Sequence, residues 1–194
     1  MNKWVRKNLK LAKTLADDND VCYSRKIGCV ITAPDHSVIS LGYNGCVSKI
    51  PHPDSNVYLA HFYGHVITKE EREQLNRKYK VRNLLEFICK LRNKKVCPRQ
   101  MLDIKSGFKR WYCPCQCAER NALTNANKNG VSTLGATIYL YSQLACDDCT
   151  KAIIQAGIKK IVCLEAKEDY HPTSRWLLKK AGVEILEVDK KQFE

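Results

Sequence analysis

The last third of the chain alternates between segments that predict strands and segments that predict helices. Apolar, β-branched runs form the strand candidates, and amphipathic segments rich in good helix formers separate them. The strand candidates are residues 136–142, 159–165 and 183–188, and the helix candidates are residues 146–158 and 174–182. Such alternation favours parallel strands joined by right-handed helical crossovers. No other pattern in the sequence restricts the fold as much.

The first 44 residues predict a helix followed by a β-hairpin. Apolar positions recur at helical spacing from Trp4 to Ala16, and the β-rich runs 27–32 and 37–44 are separated by the turn-forming segment "APDH". The hairpin and the three later strands together predict a mixed five-stranded sheet. With helices on both faces, the fold class is a three-layer α/β/α domain. At 194 residues, we expect a single domain spanning 1–194.

The middle of the chain predicts an inserted helical subregion at about residues 47–112, with a strongly basic composition. The formal net charge of the chain is +13, and residues 69–110 hold fourteen Lys and Arg against five acidic residues. Most of the excess charge therefore lies in one segment. This charge favours an anionic partner such as a phosphate, a nucleotide or a nucleic acid; the alternative is a basic surface that is simply solvated.

The chain contains eleven cysteines but neither a secretory signal nor an apolar run long enough to cross a membrane. We therefore expect a cytoplasmic protein with no membrane partner. In a reducing compartment, clustered thiols more often hold a metal or fill a core than form disulfides.

Two cysteine motifs lie at the starts of predicted helices. Cys117 and Glu119 begin one helix, and Cys146 and Cys149 begin another, on either side of the predicted strand 136–142. Helix N-termini favour thiolates, and three protein ligands with a fourth position open to water are typical of catalytic zinc. Glu119 follows Cys117 by two residues, so we expect its carboxylate to reach the bound water and act as general acid and base. The zinc deaminases share this pattern, although Ala145 stands where proline is usual.

These motifs, together with "SRKIGCVI" and "SLGYNG" near the N-terminus, resemble the cytidine deaminase superfamily, and specifically its deoxycytidylate (dCMP) deaminases, including phage members. The resemblance covers residues 21–46 and 113–164 well and the insertion hardly at all. It implies zinc-dependent conversion of dCMP to dUMP and ammonia, which supplies thymidylate synthesis. For a phage-encoded protein, the expected location is the host cytoplasm.

The resemblance also implies roles for residues near the N-terminus. The family's equivalent of Asn44 hydrogen-bonds the substrate sugar, although asparagine before Gly45 also suits a turn. Arg25 and Lys26 are candidates for the nucleotide phosphate, since arginine makes bidentate phosphate contacts. Many such enzymes are homo-oligomers that dCTP activates and dTTP inhibits, so a triphosphate effector with Mg²⁺ is an expectation as well.

The other cysteines divide into two groups. Three of them interrupt apolar runs and are expected in the core: Cys29, Cys89 and Cys163. Phage members of the resembled family can carry a second, structural zinc. The candidate ligands here are drawn from Cys22, Cys46, Cys97, Cys113, Cys115, His52, His61 and His65. Cys113 and Cys115 are favoured, then Cys22 and Cys46, while His61 and His65 at helical spacing are further donors or simply satisfied histidines.

Two alternative functions stay open at this point. A deaminase acting on bases in RNA or single-stranded DNA would use the same site chemistry, and it would explain the basic segment. A zinc-stabilised binding module without activity would use the cysteines alone, although Glu119 argues against it.

Overall fold

A computed structural model describes residues 1–105, 107–166 and 172–192. The chain divides into two compact units. The first contains residues 1–19, 26–44 and 116–194, and the second contains residues 20–25 and 45–115. The second unit contains the whole range assigned to the insertion, about 47–112, and also takes in residues 20–25, 45–46 and 113–115. The assignment of all 194 residues to one domain stays a prediction.

The first unit is built on a mixed five-stranded sheet, as predicted. In chain order the strands are β1 (Gly28–Thr32), β2 (Val38–Tyr43), the short β3 (Gly45–Cys46) and β4 (Cys115–Gln116), β5 (Thr137–Leu140), β6 (Lys160–Leu164) and β7 (Glu184–Val188). The sheet order is β2-β1-β5-β6-β7, while β3 and β4 pair with each other. Strand β1 is antiparallel to β2 and β5, whereas β5, β6 and β7 are parallel. Both the hairpin and the parallel strands are therefore confirmed.

Helices cover both faces of this sheet. They are α1 (Lys3–Asp17) on one face, and α6 (Ala118–Lys128), α7 (Asp147–Gln155) and α8 (Pro172–Lys180) on the other, while the four helices between α1 and α6 belong to the second unit. Leu9 and Ala12 of α1 pack with Val30. Because neighbouring strand residues point to opposite faces, Cys29 and Ile31 pack on the other side in the core shared with α6, α7 and α8. This is the predicted three-layer α/β/α arrangement.

Two glycines let helices approach the sheet closely. A Cβ atom added at Gly28 would lie 1.8 Å from the backbone oxygen of Ala12 in α1. A Cβ atom added at Gly42 would lie 2.4 Å from the backbone oxygen of Ala118 and 2.5 Å from the backbone nitrogen of Ala122. Helix α6 therefore lies so close to β2 that only glycine, which lacks a Cβ atom, fits at position 42.

Replacing Gly42 by alanine should displace α6, because backbone atoms cannot move aside as a flexible side chain can. We expect the variant to lose about 1–3 kcal/mol of unfolding free energy, measured by urea denaturation. The matched control is Gly64→Ala, since an added Cβ there meets nothing within 4 Å. An equal loss in both variants would show that β2 and α6 are not in close contact.

The second unit has its own core. Its helices are α2 (Asn56–His61), α3 (Lys69–Tyr79), α4 (Leu84–Leu91) and α5 (Pro98–Met101), with a π-helical turn at Phe62–Val66 and a 3₁₀ turn at Arg110–Tyr112. Buried aromatic and aliphatic side chains from these helices pack together, with Phe62, Leu75 and Phe87 fully enclosed. The unit thus buries an apolar cluster of its own.

The helical stretch 69–95 is divided in the structure. Lys80 adopts a left-handed backbone conformation, with φ 50°, and ends α3. Asn83 then caps α4 by accepting a hydrogen bond from the Glu86 N–H. Asparagine is a favoured N-cap residue because its side chain satisfies a backbone donor of the first turn. The composition predicted helix correctly but did not reveal this break.

The prediction that Cys89 is buried is wrong, whereas Cys29 and Cys163 are buried as expected. Helix α4 turns Phe87 and Leu91 into the core of the second unit. These residues are four apart and share one helix face, so Cys89, midway between them, is exposed. None of the helices in residues 1–105, 107–166 and 172–192 is both long enough and apolar enough to span a bilayer.

Candidate metal centre

Three cysteines occupy the first turns of α6 and α7. Cys117 is the N-cap of α6 and Cys146 is the N-cap of α7, each with extended backbone and no capping hydrogen bond from its side chain. Cys149 lies in the first turn of α7 and is fully buried. Serine, threonine, aspartate or asparagine usually occupies an N-cap and accepts a hydrogen bond from a backbone N–H of the first turn, and cysteine takes that position in both helices. Both helices thus present a thiol at their positive ends.

The three sulfur atoms lie within 4.8 Å of one another, the one such group of potential ligands found in the described part of the chain. The hydrogen bond with Cys146, together with burial, raises the pKa of Cys117 to about 12. Hydrogen bonds with Cys117 and Cys146, together with burial, raise the pKa of Cys149 far above its ordinary value. Zinc binds the thiolate form, and tetrahedral Zn–S bonds of about 2.3 Å place sulfurs about 3.8 Å apart. Donor type and spacing therefore fit Zn²⁺ held by Cys117, Cys146 and Cys149.

Glu119 lies beside this thiol group. It is the second residue of α6 and only 6% exposed, and its Oε2 atom is buried. Its negative charge contributes to the raised pKa of both Cys117 and Cys149. A buried carboxylate within electrostatic reach of a zinc site is suited to move protons there. The structure thus brings together the four residues predicted from the two motifs.

Helix α6 is held on strand β2 by hydrogen bonds from three side chains. Ser40 Oγ donates to the Ala122 carbonyl at 2.8 Å. The side-chain amides of Asn121 and Asn125 donate to the carbonyls of Tyr43 and Leu41 at 2.7 and 2.9 Å. Because α6 carries both Cys117 and Glu119, these bonds fix their position relative to the sheet.

Helix α7 is held at the same end as its two cysteines. Thr150 Oγ1 donates to the Ala145 carbonyl at 3.3 Å, and Ser174 Oγ of α8 donates to Asp147 Oδ1 at 2.7 Å. Ala145, which stands where proline is usual, is buried. The turn before Cys146 is thus held by packing and by these hydrogen bonds instead of by a proline ring.

The three predicted substrate residues have different surroundings. Asn44 is 7% exposed, and its Oδ1 atom accepts hydrogen bonds from Asn19 Nδ2 and from the Ile27 N–H, both at 2.8 Å. Lys26 Nζ donates to the Asp17 carbonyl at the end of α1, at 3.1 Å. Arg25 belongs to the second unit, where its backbone N–H donates to the thiol of Cys22.

The predicted second group of cysteines meets in the second unit. The thiol of Cys115 hydrogen-bonds with those of Cys22, Cys46 and Cys113, and its sulfur lies 3.3 Å from that of Cys46. Cys97, a member of the wider set of candidates, hydrogen-bonds with Cys113. Cys115 is thus the centre of a thiol cluster.

Sequence reasoning missed Asn19. It belongs to the polar segment "DDND" that follows the apolar helical pattern of residues 4–16, and it is buried and hydrogen-bonded to Asn44. A polar residue after a helix is common, and the partner lies 25 positions away. No local pattern signals such a contact.

Comparison with known proteins agrees with this geometry. A model of the cytidine and deoxycytidylate deaminase zinc-binding region matches residues 2–165. The deoxycytidylate deaminase of Enterobacteria phage T4 is 43% identical over 76 residues, and the match spans only 39% of the length of either protein.

Solved structures show the same fold. The apo crystal structure of dCMP deaminase from the cyanophage S-TIM5 aligns with 97% of this chain and 100% of that chain, with a TM-score of 0.58 at 17% identity. The same enzyme in complex with dCMP and dUMP aligns with 97% of this chain and 99% of that chain, with a TM-score of 0.56 at 18% identity.

Proposed function

The chain belongs to the cytidine and deoxycytidylate deaminase family, and from that premise we propose that it hydrolyses dCMP to dUMP and ammonia. The observation that carries the proposal is the meeting of three thiols within 4.8 Å of one another beside the buried carboxylate of Glu119. Deoxycytidylate deaminase of phage T4 and the cyanophage enzyme in complex with dCMP and dUMP support dCMP as the substrate.

In this mechanism Cys117, Cys146 and Cys149 would hold zinc, which supplies a Lewis acid that lowers the pKa of a coordinated water molecule. The carboxylate of Glu119 would take a proton from the attacking water and give it to the ring nitrogen. It would then take the second proton of the same water, from the hydroxyl now on the ring carbon, and pass it to the departing amino group. Water adds at the amino-bearing carbon and ammonia leaves from it, with no change in oxidation state.

We assign recognition of the nucleotide to Asn44, Arg25 and Lys26. Asn44 would contact a sugar hydroxyl, which its burial and its two hydrogen bonds support by fixing the side chain. Arg25 and Lys26 would bind the phosphate. Supporting this, Lys26 directly precedes Ile27, whose N–H holds Asn44.

The basic segment 69–110 would serve regulation. Its cations would attract dCTP or dTTP with Mg²⁺ as effectors, in a homo-oligomer that acts in the host cytoplasm. The alternative use of these charges, which the same composition supports, is to bind RNA or single-stranded DNA whose bases are then deaminated.

A substrate comparison tests the proposal. Ammonia release is measured from dCMP, hydroxymethylated dCMP, dCTP, cytidine and a cytosine-containing oligonucleotide, with and without dCTP and dTTP. We expect dCMP to react at least about 100-fold faster than cytidine, because two charge-assisted hydrogen bonds to phosphate are lost without it. Faster reaction of the oligonucleotide would establish the nucleic-acid function instead. Inactivity on all substrates with zinc present would leave only a binding module.

We also propose a second, structural zinc bound by Cys22, Cys46, Cys113 and Cys115. The support is the contact of Cys115 with the other three thiols, since four cysteines are a common structural zinc set. The ion would draw the sulfurs to about 3.8 Å from one another, the spacing that tetrahedral Zn–S bonds require.

Metal analysis of the purified protein tests this second site. We expect two zinc ions per chain in the wild type and one in Cys115→Ser. The matched control is Cys97→Ser, which removes a thiol that contacts Cys113 but lies outside the ligand set, and it should retain both ions. One zinc per chain in the wild type would refute the second site and leave the first untouched.

A further inference from the structure

Only one of the two possible orientations of the Asn44 side-chain amide is consistent with the hydrogen-bond donors around it. Its Oδ1 atom accepts from two N–H donors, those of Asn19 Nδ2 and Ile27 N, each at 2.8 Å. An amide rotated by 180° would place its own NH₂ group against these donors, and both hydrogen bonds would be lost. The assignment of oxygen and nitrogen therefore follows from the hydrogen-bond partners.

Asn19 holds Asn44 at two points. Its Nδ2 atom donates to the backbone carbonyl of Asn44 at 2.8 Å as well as to Oδ1. Asn19 is 3% exposed, and its own N–H donates to the Ala16 carbonyl at the end of α1. It is thus fixed by the helix end and clamps both the main chain and the side chain of Asn44. Buried amide networks of this kind are rigid when satisfied.

We propose that Asn19 is a positioning residue that makes Asn44 a hydrogen-bond donor toward the substrate. With Oδ1 engaged by Asn19 and Ile27, the NH₂ group lies on the opposite side of the planar amide. Any ligand atom that meets this group must be an acceptor, such as the oxygen of the 3′-hydroxyl. This inference rests on the proposed function, in which Asn44 contacts the sugar.

Two substitutions test the clamp. In Asn19→Leu the side chain keeps a similar volume but loses its donors, so Oδ1 of Asn44 loses the hydrogen bond from Asn19 and keeps the one from the Ile27 N–H. In Asn19→Asp, carboxylate oxygens face the carbonyl and Oδ1 of Asn44, and rotation of the Asn44 amide relieves this repulsion. Both variants should raise KM for dCMP about tenfold, the effect of losing one hydrogen bond, with kcat nearly unchanged.

The matched control is Asn8→Leu. Asn8 is also buried, at 1% exposure, and lies on α1, so its replacement perturbs the same helix without touching the clamp. It should leave KM unchanged. A second comparison uses 2′,3′-dideoxy-CMP, which lacks the 3′-hydroxyl. The wild type should bind it about tenfold more weakly than dCMP, and the Asn19 variants should bind both nucleotides alike.

The outcomes separate the two proposals. If the wild type does not deaminate dCMP, the proposed function fails. If the wild type is active but the Asn19 variants keep its KM, or lose affinity equally for both nucleotides, the positioning role is overturned. Should the Asn19 variants be too unstable for kinetics, the crystal structure of Asn19→Asp decides. A rotated Asn44 amide would support the clamp, and an unchanged amide would refute it.

Discussion

Replacing Glu119 by glutamine should reduce dCMP turnover by about 10³- to 10⁴-fold while zinc content and fold stay as in the wild type. General acid and base catalysis by one positioned group contributes on this scale, and the proposed mechanism sends both proton transfers through the Glu119 carboxylate. Glutamine keeps the volume of the buried side chain but cannot accept the proton. Steady-state ammonia release, with metal analysis of the same sample, measures both quantities.

Asp148 provides a matched control for Glu119. It is the second residue of α7, two positions after the N-cap Cys146, just as Glu119 is the second residue of α6 after Cys117. Unlike Glu119 it is exposed, and it pairs with Lys151 at 3.7 Å. Asp148→Asn should retain turnover within about twofold. If Glu119→Gln retains similar turnover, Glu119 is not the proton carrier.

Replacing Cys149 by serine should remove the zinc between the two helices and abolish deamination. Cys149 is the fully buried member of the ligand set, and loss of one of three protein ligands leaves a weak site. Burial of an unpaired hydroxyl should also destabilise the fold by at least about 1 kcal/mol. The measurements are zinc per chain, ammonia release from dCMP and thermal unfolding.

Cys163→Ser separates metal loss from core damage. Cys163 is also fully buried and belongs to the same core cluster as Cys149, but it lies outside the sulfur group. The control should be destabilised to a similar degree yet keep its zinc and its activity after purification at low temperature. Equal zinc content in Cys149→Ser and the wild type would exclude Cys149 as a ligand.

The parts of the fold that the sequence predicted are those with local causes. The parallel strands β5, β6 and β7 follow from the alternation of strand and helix patterns, and α1 follows from its apolar periodicity. The meeting of Cys117, Cys146 and Cys149 was predictable for a similar reason. The cysteines stand at the N-terminal ends of two predicted helices, and two such helices on either side of one strand bring those ends together.

The features that the sequence did not reveal depend on contacts that are distant along the chain. Asn19 and Asn44 are 25 positions apart, and no sequence pattern around either residue predicts their contact. The exposure of Cys89 depends on which face of α4 packs against the core of the second unit. Because apolar residues surround Cys89 in the sequence, the buried face could not be identified from the sequence. Likewise, the left-handed conformation of Lys80 has no signal in composition, since lysine is a good helix former.

The most direct test of the metal centre is anomalous diffraction at the zinc edge from crystals of the zinc-loaded protein. We predict an anomalous peak bonded to the sulfurs of Cys117, Cys146 and Cys149 at about 2.3 Å, with the Glu119 carboxylate facing the ion from outside bonding distance. The absence of an anomalous peak at these three sulfurs, or a peak whose ligands include Glu119, would contradict the account.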